Sequence, residues 1–245
     1  MCSYIFVQTM STTVTKQFTS FNTLARLGEY TSGGSTFKWQ NTTNASSQND
    51  TYSSLSFADS SNIAQTSPLS ISPADETNYL VCKNLDSNIP AGATIEGIRV
   101  YIDRYNSFNG DGTVIYKDDA IYLTKNGTDT TGNNKSTSTT WSSSDTDSYA
   151  TYGGVTDLWG TSWTASEIND DNFGVMIGPS IEYDSNSVEN GGSAKIDHVY
   201  VEITYSGGTV SRRRAVFQAR SNTWLLLLYC HRYTYICCRS NSSKV

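Results

Sequence analysis

The chain has 245 residues, 37% of them hydrophobic and only 16% charged; that length supports a sizeable core in one main domain, and the uncharged polar excess suits short strands and loops better than a helical bundle. The net charge of −6 is uneven, because all 23 acids precede Ser206 while seven of the 17 basic residues follow it, leaving −13 on residues 1–205 and +7 on residues 206–245. An acidic body argues against nucleic-acid binding by the main domain, no segment has the roughly 20 apolar residues of a membrane span, and five cysteines without a CxxC pair argue against a disulfide framework or zinc cluster.

Taken in chain order, the opening MCSYIFVQTM lacks the basic region and small-residue cleavage site of a secretory signal. Residues 1–29 are read as an N-terminal arm, with Met10 as an alternative start. Strands are predicted at TFKWQ around Phe37 and Trp39, and at NYLVCKNL from Asn78, where Cys82 reads as a small buried hydrophobe. In ATIEGIRVYIDRYNS, Ile98, Val100 and Ile102 alternate with Arg99, Tyr101 and Asp103, the period of a half-buried antiparallel strand. A further strand is predicted from Val114 to Lys125. Turn chemistry at Pro90-Ala91-Gly92, Asn109-Gly110-Asp111-Gly112 and Asn126-Gly127 separates these runs.

The polar interval from Gly127 to Tyr152 reads as an exposed loop. After it, Thr164-Ala165-Ser166-Glu167 fits a capping box, predicting a helical turn near 165–169 just before the strand NFGVMIG. Trp159 and Trp163 are expected to plug one end of the fold. The clearest strand is KIDHVYVEITYS, with Val199, Val201, Ile203 and Tyr205 on one face. Gly207-Gly208 then reads as a linker. The expected fold is all-β: an antiparallel two-sheet sandwich, jelly-roll-like, spanning residues 30–205, with residues 206–245 as a basic Cys/Arg-rich tail.

Candidate chemistry is sparse. His198 lies on the polar face of a strand and His231 in the tail, and no nucleophile elbow, H-E-x-x-H or phosphate loop accompanies them. Adjacent Asp118 and Asp119 would point to opposite faces of a strand, which disfavours glycan cleavage by that pair. Asn109, Asp111 and Asp118 fall at spacings that resemble an oxygen-rich calcium loop, although a glycine-rich hairpin explains Asn109–Gly112 more simply. Asp184, Asn186 and Glu189 make a second calcium candidate. Trp159, Trp163 and Tyr152 are the candidates for a sugar-binding platform should they be exposed, and Arg212, Arg213 and Arg214 for contact with an acidic partner.

The elements also resemble a known family. Ile95, Gly97, Ile98 and Val100 match an "I-x-G-I-x-V" strand, Gly153, Gly154, Leu158, Trp159, Gly160, Trp163 and Thr164 match "G-G-x-x-x-L-W-G-x-x-W-T", and Ile196, Asp197, Val199, Val201 and Tyr205 match a final "I-D-x-V-x-V-x-V-x-Y" strand. Over roughly residues 30–205 the chain is similar to a β-sandwich domain of virion structural proteins of tailed bacteriophages and environmental viruses. The resemblance implies a non-enzymatic structural or adhesive part of a virus particle, of the tail, fibre or capsid-decoration kind, and no cofactor is expected beyond the calcium candidates above. Its implied partners are other virion proteins and copies of itself, with a trimer by analogy, and its implied location is the virion or the extracellular space. A carbohydrate-binding adhesin module that meets host-surface glycan is the alternative, and a glycan-cleaving enzyme stands behind it.

Overall fold

The computed structural model describes residues 10–26, 31–32, 35–36, 39–56, 77–107, 114–144, 146–183, 193–208, 227–230 and 233–236. The chain divides into two compact units, Met1–Val210 and Ser211–Val245. The first holds the strands β1 (Thr12–Leu24), β2 (Thr31–Ser32), β3 (Ser35–Thr36), β4 (Ser53–Ser56), β5 (Tyr79–Leu85), β6 (Ala93–Asn106), β7 (Val114–Thr124), β8 (Tyr149–Gly154), β9 (Gly174–Tyr183) and β10 (Ser193–Gly207). A 3-10 turn at Thr42–Ala45 and the helix α1 (Ala165–Ile168) complete it. In the second unit, β11 (Leu227–Cys230) pairs antiparallel with β12 (Tyr233–Ile236). Among the described residues no helix is long and apolar enough to cross a membrane.

The fold is all-β and its pairing antiparallel, as expected. The expected two separate sheets take a different form: a single curled sheet in the order β7-β9-β5-β1-β10-β6-β8, with β4 also paired to β10. The cause lies in β1. Thr12–Gln17 pair with β10, whereas Phe18–Leu24 pair with β5, so one strand joins the two halves. The segment expected as an arm thus lies at the centre of the sheet. Where β1 departs, the free edge of β10 is taken up by a bridge from Ser46 to His198 and by β4 against Ser193–Ile196.

Alternation decides which side chains fill the curl. Ile98, Val100 and Ile102 of β6 and Val199, Val201 and Ile203 of β10 are fully buried, together with Leu80, Cys82, Ile121, Leu123, Val175 and Ile177 from β5, β7 and β9. Burying a side chain of this size stabilises by about 1.5–3 kcal/mol each, so the periodicity read in the sequence is the main energetic term. TFKWQ contributes Trp39, whose buried indole N–H donates to the Asn78 carbonyl at 3.0 Å. Phe37 lies outside the described residues.

The interval from Gly127 to Tyr152 is more ordered than expected. Residues 131–142 run as a strap along the outer edge of β7: Thr131 N–H donates to Leu123 O at 2.7 Å, Lys135 N–H to Ile121 O at 2.9 Å and Trp141 N–H to Tyr116 O at 2.8 Å. Asn134 adds a side-chain pair, accepting from Ile121 N–H and donating to Asp119 O. The strap then crosses to β6, where Asn106 N–H donates to Ser142 O at 2.7 Å. An edge strand left with bare N–H and C=O groups invites aggregation, and the strap covers this one.

The capping box forms as predicted. Thr164 accepts from Glu167 N–H, and Glu167 accepts from Thr164 N–H at 2.8 Å. Lys125, whose Nζ lies 2.7 Å from Glu167, holds that carboxyl below the usual glutamate range with help from Thr164 and against the effect of burial. A depressed pKa means that the ionised form stabilises the fold above the ordinary glutamate range and that this contribution is lost as pH falls through the folded-state value. The advantage of the wild type over Glu167→Gln in urea midpoint should therefore be present at neutral pH and be lost progressively as pH falls through and below the ordinary glutamate range.

Gly97 shows why the "I-x-G-I" run carries a glycine. A Cβ there would lie 2.2 Å from the backbone carbon of Val155 and 2.4 Å from Gly154 O, because the chain leaving β8 crosses directly over it. Backbone cannot give way as a side-chain tip can. Gly97→Ala should cost roughly 3 kcal/mol or more, the upper end for overpacking, measured as a fall in urea midpoint.

Candidate functional site

Three groups of polar or aromatic side chains could carry function, and the strands determine which way each one faces. The first lies inside. Asp118 on β7 and Arg104 on β6 meet at 3.3 Å, with both side chains almost wholly buried. Asp118 Oδ1 accepts from the Trp141 indole at 2.8 Å, while Oδ2 accepts from the Tyr152 hydroxyl at 2.9 Å and the Thr137 hydroxyl at 3.0 Å. Arg104 Nε donates to Tyr152 at 2.9 Å, and its guanidinium lies 4.9 Å from the centre of the Trp141 ring. Burial, more than the opposing Arg104 charge relieves it, pushes the Tyr152 hydroxyl far up. Both Asp118 oxygens are thus engaged in a structural charge network and are not free for the calcium role anticipated for Asp118. Asn109 and Asp111, and the second set Asp184, Asn186 and Glu189, lie outside the described residues. Asp119 turns the other way and pairs with Arg26 at 2.7 Å, as the opposite-face argument required.

The second group is the set of indoles that opens the question of sugar binding. Trp159 is 0% exposed, Trp163 6% and Tyr152 3%. Trp159 donates from its indole to Ile98 O at 2.9 Å, and Trp163 donates to Leu158 O at 3.0 Å while packing edge-on against Phe173 at 5.4 Å. Trp159 has φ +59, an unfavourable value for a large residue. It is held there by Asp157, which accepts its N–H at 2.7 Å, and by the strap, since Asn133 N–H donates to Trp159 O at 2.7 Å. Gly153 provides the room: a Cβ on it would meet Ile98 O at 2.3 Å and the Trp159 indole nitrogen at 2.6 Å. These rings are plugs with no open face for a sugar. An apolar groove of about 900 Å³ runs beside Trp163 between Ile89–Ile95 and α1.

The third group lies on the outer face, where β1 departs from β10, and sequence reasoning missed it. Register between β10 and β6 passes from Ile196 opposite Arg104 to His198 opposite Asp103, so Asp197 is the extra residue of a β-bulge. His198 Nε2 lies 2.6 Å from Gln17 Oε1, and its Nδ1 lies 2.7 Å from the Tyr149 hydroxyl, so both ring nitrogens are engaged. Burial lowers the His198 pKa and keeps the ring neutral at pH 7. Tyr149 also contacts Gln48 Oε1 at 2.8 Å, and Gln48 donates to Asp103 at 3.1 Å. Burial, then the charge of Asp103 and those of Tyr200, Asp197 and Asp147, push the Tyr149 hydroxyl up to about 12. Tyr101 stacks on Tyr200 at 4.4 Å, and Tyr149 meets Tyr200 edge-on at 5.2 Å.

Beside this cluster the Asp197 Oδ2 accepts the N–H groups of Asn49 at 3.0 Å and Asp50 at 3.4 Å. Burial raises its pKa despite those donors. The only signal in the sequence was Asp197 in the "I-D-x-V" run, while its neighbours Asp50 and Asp147 come from distant segments. Arg212, Arg213 and Arg214 lie outside the described residues. Cys82 is buried, which pushes its thiol far up and leaves it an apolar core residue as expected. No protein-family model matches the chain, and neither a curated protein nor a solved structure does.

The buried pair admits a direct test. Asp118→Asn leaves the Arg104 charge uncompensated and should cost about 3–5 kcal/mol. The double change Arg104→Met with Asp118→Leu should recover part of that loss. Equal destabilisation of the single and double variants in urea melts would show that the hydroxyl and indole donors, rather than the charge, dominate.

Proposed function

We propose that the chain is a non-enzymatic structural component of a virus particle, of the tail, fibre or capsid-decoration kind, which docks on the particle or on copies of itself. The observation that carries this reading is where the family-like residues are spent. Gly97, Gly153, Trp159, Trp163 and Thr164 close the fold, through the crossover above β6, the indole plugs and the cap of α1. A run that resembles virion proteins and serves only closure fits a rigid building block. Two further features support it: Cys82 is sealed in the core, and the two ring nitrogens of His198 are held by Tyr149 and Gln17. Particle assembly needs stiff modules with protected edges, and the strap along β7 provides such an edge.

The test is mass spectrometry and antibody labelling of purified particles. A constant copy number per particle, and labelling confined to one position on it, is the expected result. Recovery of the protein only as a free soluble species would overturn the reading and favour the adhesin alternative.

A further inference from the structure

We propose that Asp50, Asp147 and Asp197 together bind a calcium ion. The three come from separate parts of the chain: the turn after the 3-10 helix, the segment leading into β8, and the bulge of β10. One carboxylate oxygen from each lies within 4.8 Å of the others. Two oxygens on one calcium at ~2.3–2.6 Å can stand up to about 5 Å apart, so all three can meet a single ion without rearrangement of the strands.

An acidic cluster alone would carry nothing, since exposed carboxylates often gather without an ion. Here Asp50 and Asp147 are exposed but Asp197 is 3% exposed. Its Oδ2 is used by the Asn49 and Asp50 N–H groups, and its Oδ1 is sealed from solvent with no hydrogen-bond partner. Folded proteins rarely keep such an oxygen unsatisfied. Among the described residues the ion pairs of Arg26, Arg99, Arg104, Lys125 and Lys135 are all made to other acids. A proton could serve one oxygen only, leaving Asp50 and Asp147 to repel each other. A divalent cation serves all three.

The donors choose the ion. Every candidate ligand is a hard carboxylate oxygen, and the neighbouring His198 has both nitrogens committed, which favours calcium over zinc or copper. The ion would tie the Asn49–Asp50 turn and the Asp147 segment to β10 at the point where β1 leaves it. This inference stands apart from any role in a particle.

The test uses the full chain after chelation. Calcium in the millimolar range should raise Tm by roughly 2–5 °C, and terbium should show luminescence excited through Tyr149, quenched by added calcium. Asp50→Asn combined with Asp147→Asn, both at exposed positions, should keep or raise the calcium-free Tm, because their mutual repulsion is removed, and lose both responses. Asp197→Asn should lose them too and melt higher than wild type without calcium, since it removes the unsatisfied charge. No calcium shift and no terbium signal in the wild type, or a full response in the double variant, overturns the proposal. An equal shift with magnesium overturns the choice of calcium.

Discussion

The fold depends on one buried contact between the ends of its own sheet. In strand order, β7 is the first strand and β6 and β8 are the last two, yet Asp118 of β7 meets Arg104 of β6 and Tyr152 of β8 inside the core. Side chains from the two ends of the curled sheet thus meet across its apolar interior. Without that contact, the rows of Ile98, Val100, Val199 and Val201 would face an open trough. The pair need not be more stabilising than an apolar replacement, because desolvating two charges costs much of what their attraction returns. What it adds is direction: a carboxylate that accepts from five donors has few positions in which all are satisfied.

The strap and the indoles act on the same closure from outside and from one end. Residues 131–142 hydrogen-bond along β7, cross to Asn106 of β6, and place Trp141 over Arg104 with its indole on Asp118. The strap also accounts for the conformation of Trp159, since its Asn133 N–H binds Trp159 O, and Lys135 pairs with Asp157 at 2.7 Å. Burial would raise the Asp157 carboxyl, and Lys135 and the Trp159 N–H more than offset it, so that it stays ionised and holds the turn. Loop, plug and charge pair are therefore one cooperative unit rather than three separate stabilisers.

What could be read in the sequence follows from which interactions leave a local pattern. β6 and β10 show alternation over Ile98–Ile102 and Val199–Ile203 because one face of each is packed there, and the capping box of α1 is a contact four residues long. β1 was missed because its buried residues change phase between Phe18 and Phe21, at the point where its partner changes from β10 to β5. No single period describes a strand that belongs to two halves of a sheet. The strap was missed because backbone groups and Asn134 hold it, and such bonds leave only a polar, irregular stretch behind. The burial of Trp159 and Trp163 was legible from residue type, whereas the partners of Asp118 were not, since they come from three other segments. The acidic trio was invisible for the same reason.

The bulge at Asp197 links closure to what remains outside. β1 can turn toward β5 only if β10 gives up a partner below Tyr200, and that leaves a stretch of β10 edge for the Ser46 bridge and β4 to fill. The extra residue lets Ile196 and Val199 both face the core although two residues separate them, and it directs Asp197 and His198 to the outer side. Polar groups accumulate there because the core has no place for them: Gln17, Gln48, Asp103, Tyr149 and His198 are linked in a chain of polar contacts, and one oxygen of Asp197 is left over. Partner swapping in a single strand thus accounts both for the curl of the sheet and for the buried Asp197 oxygen on its outer face, which no described residue satisfies.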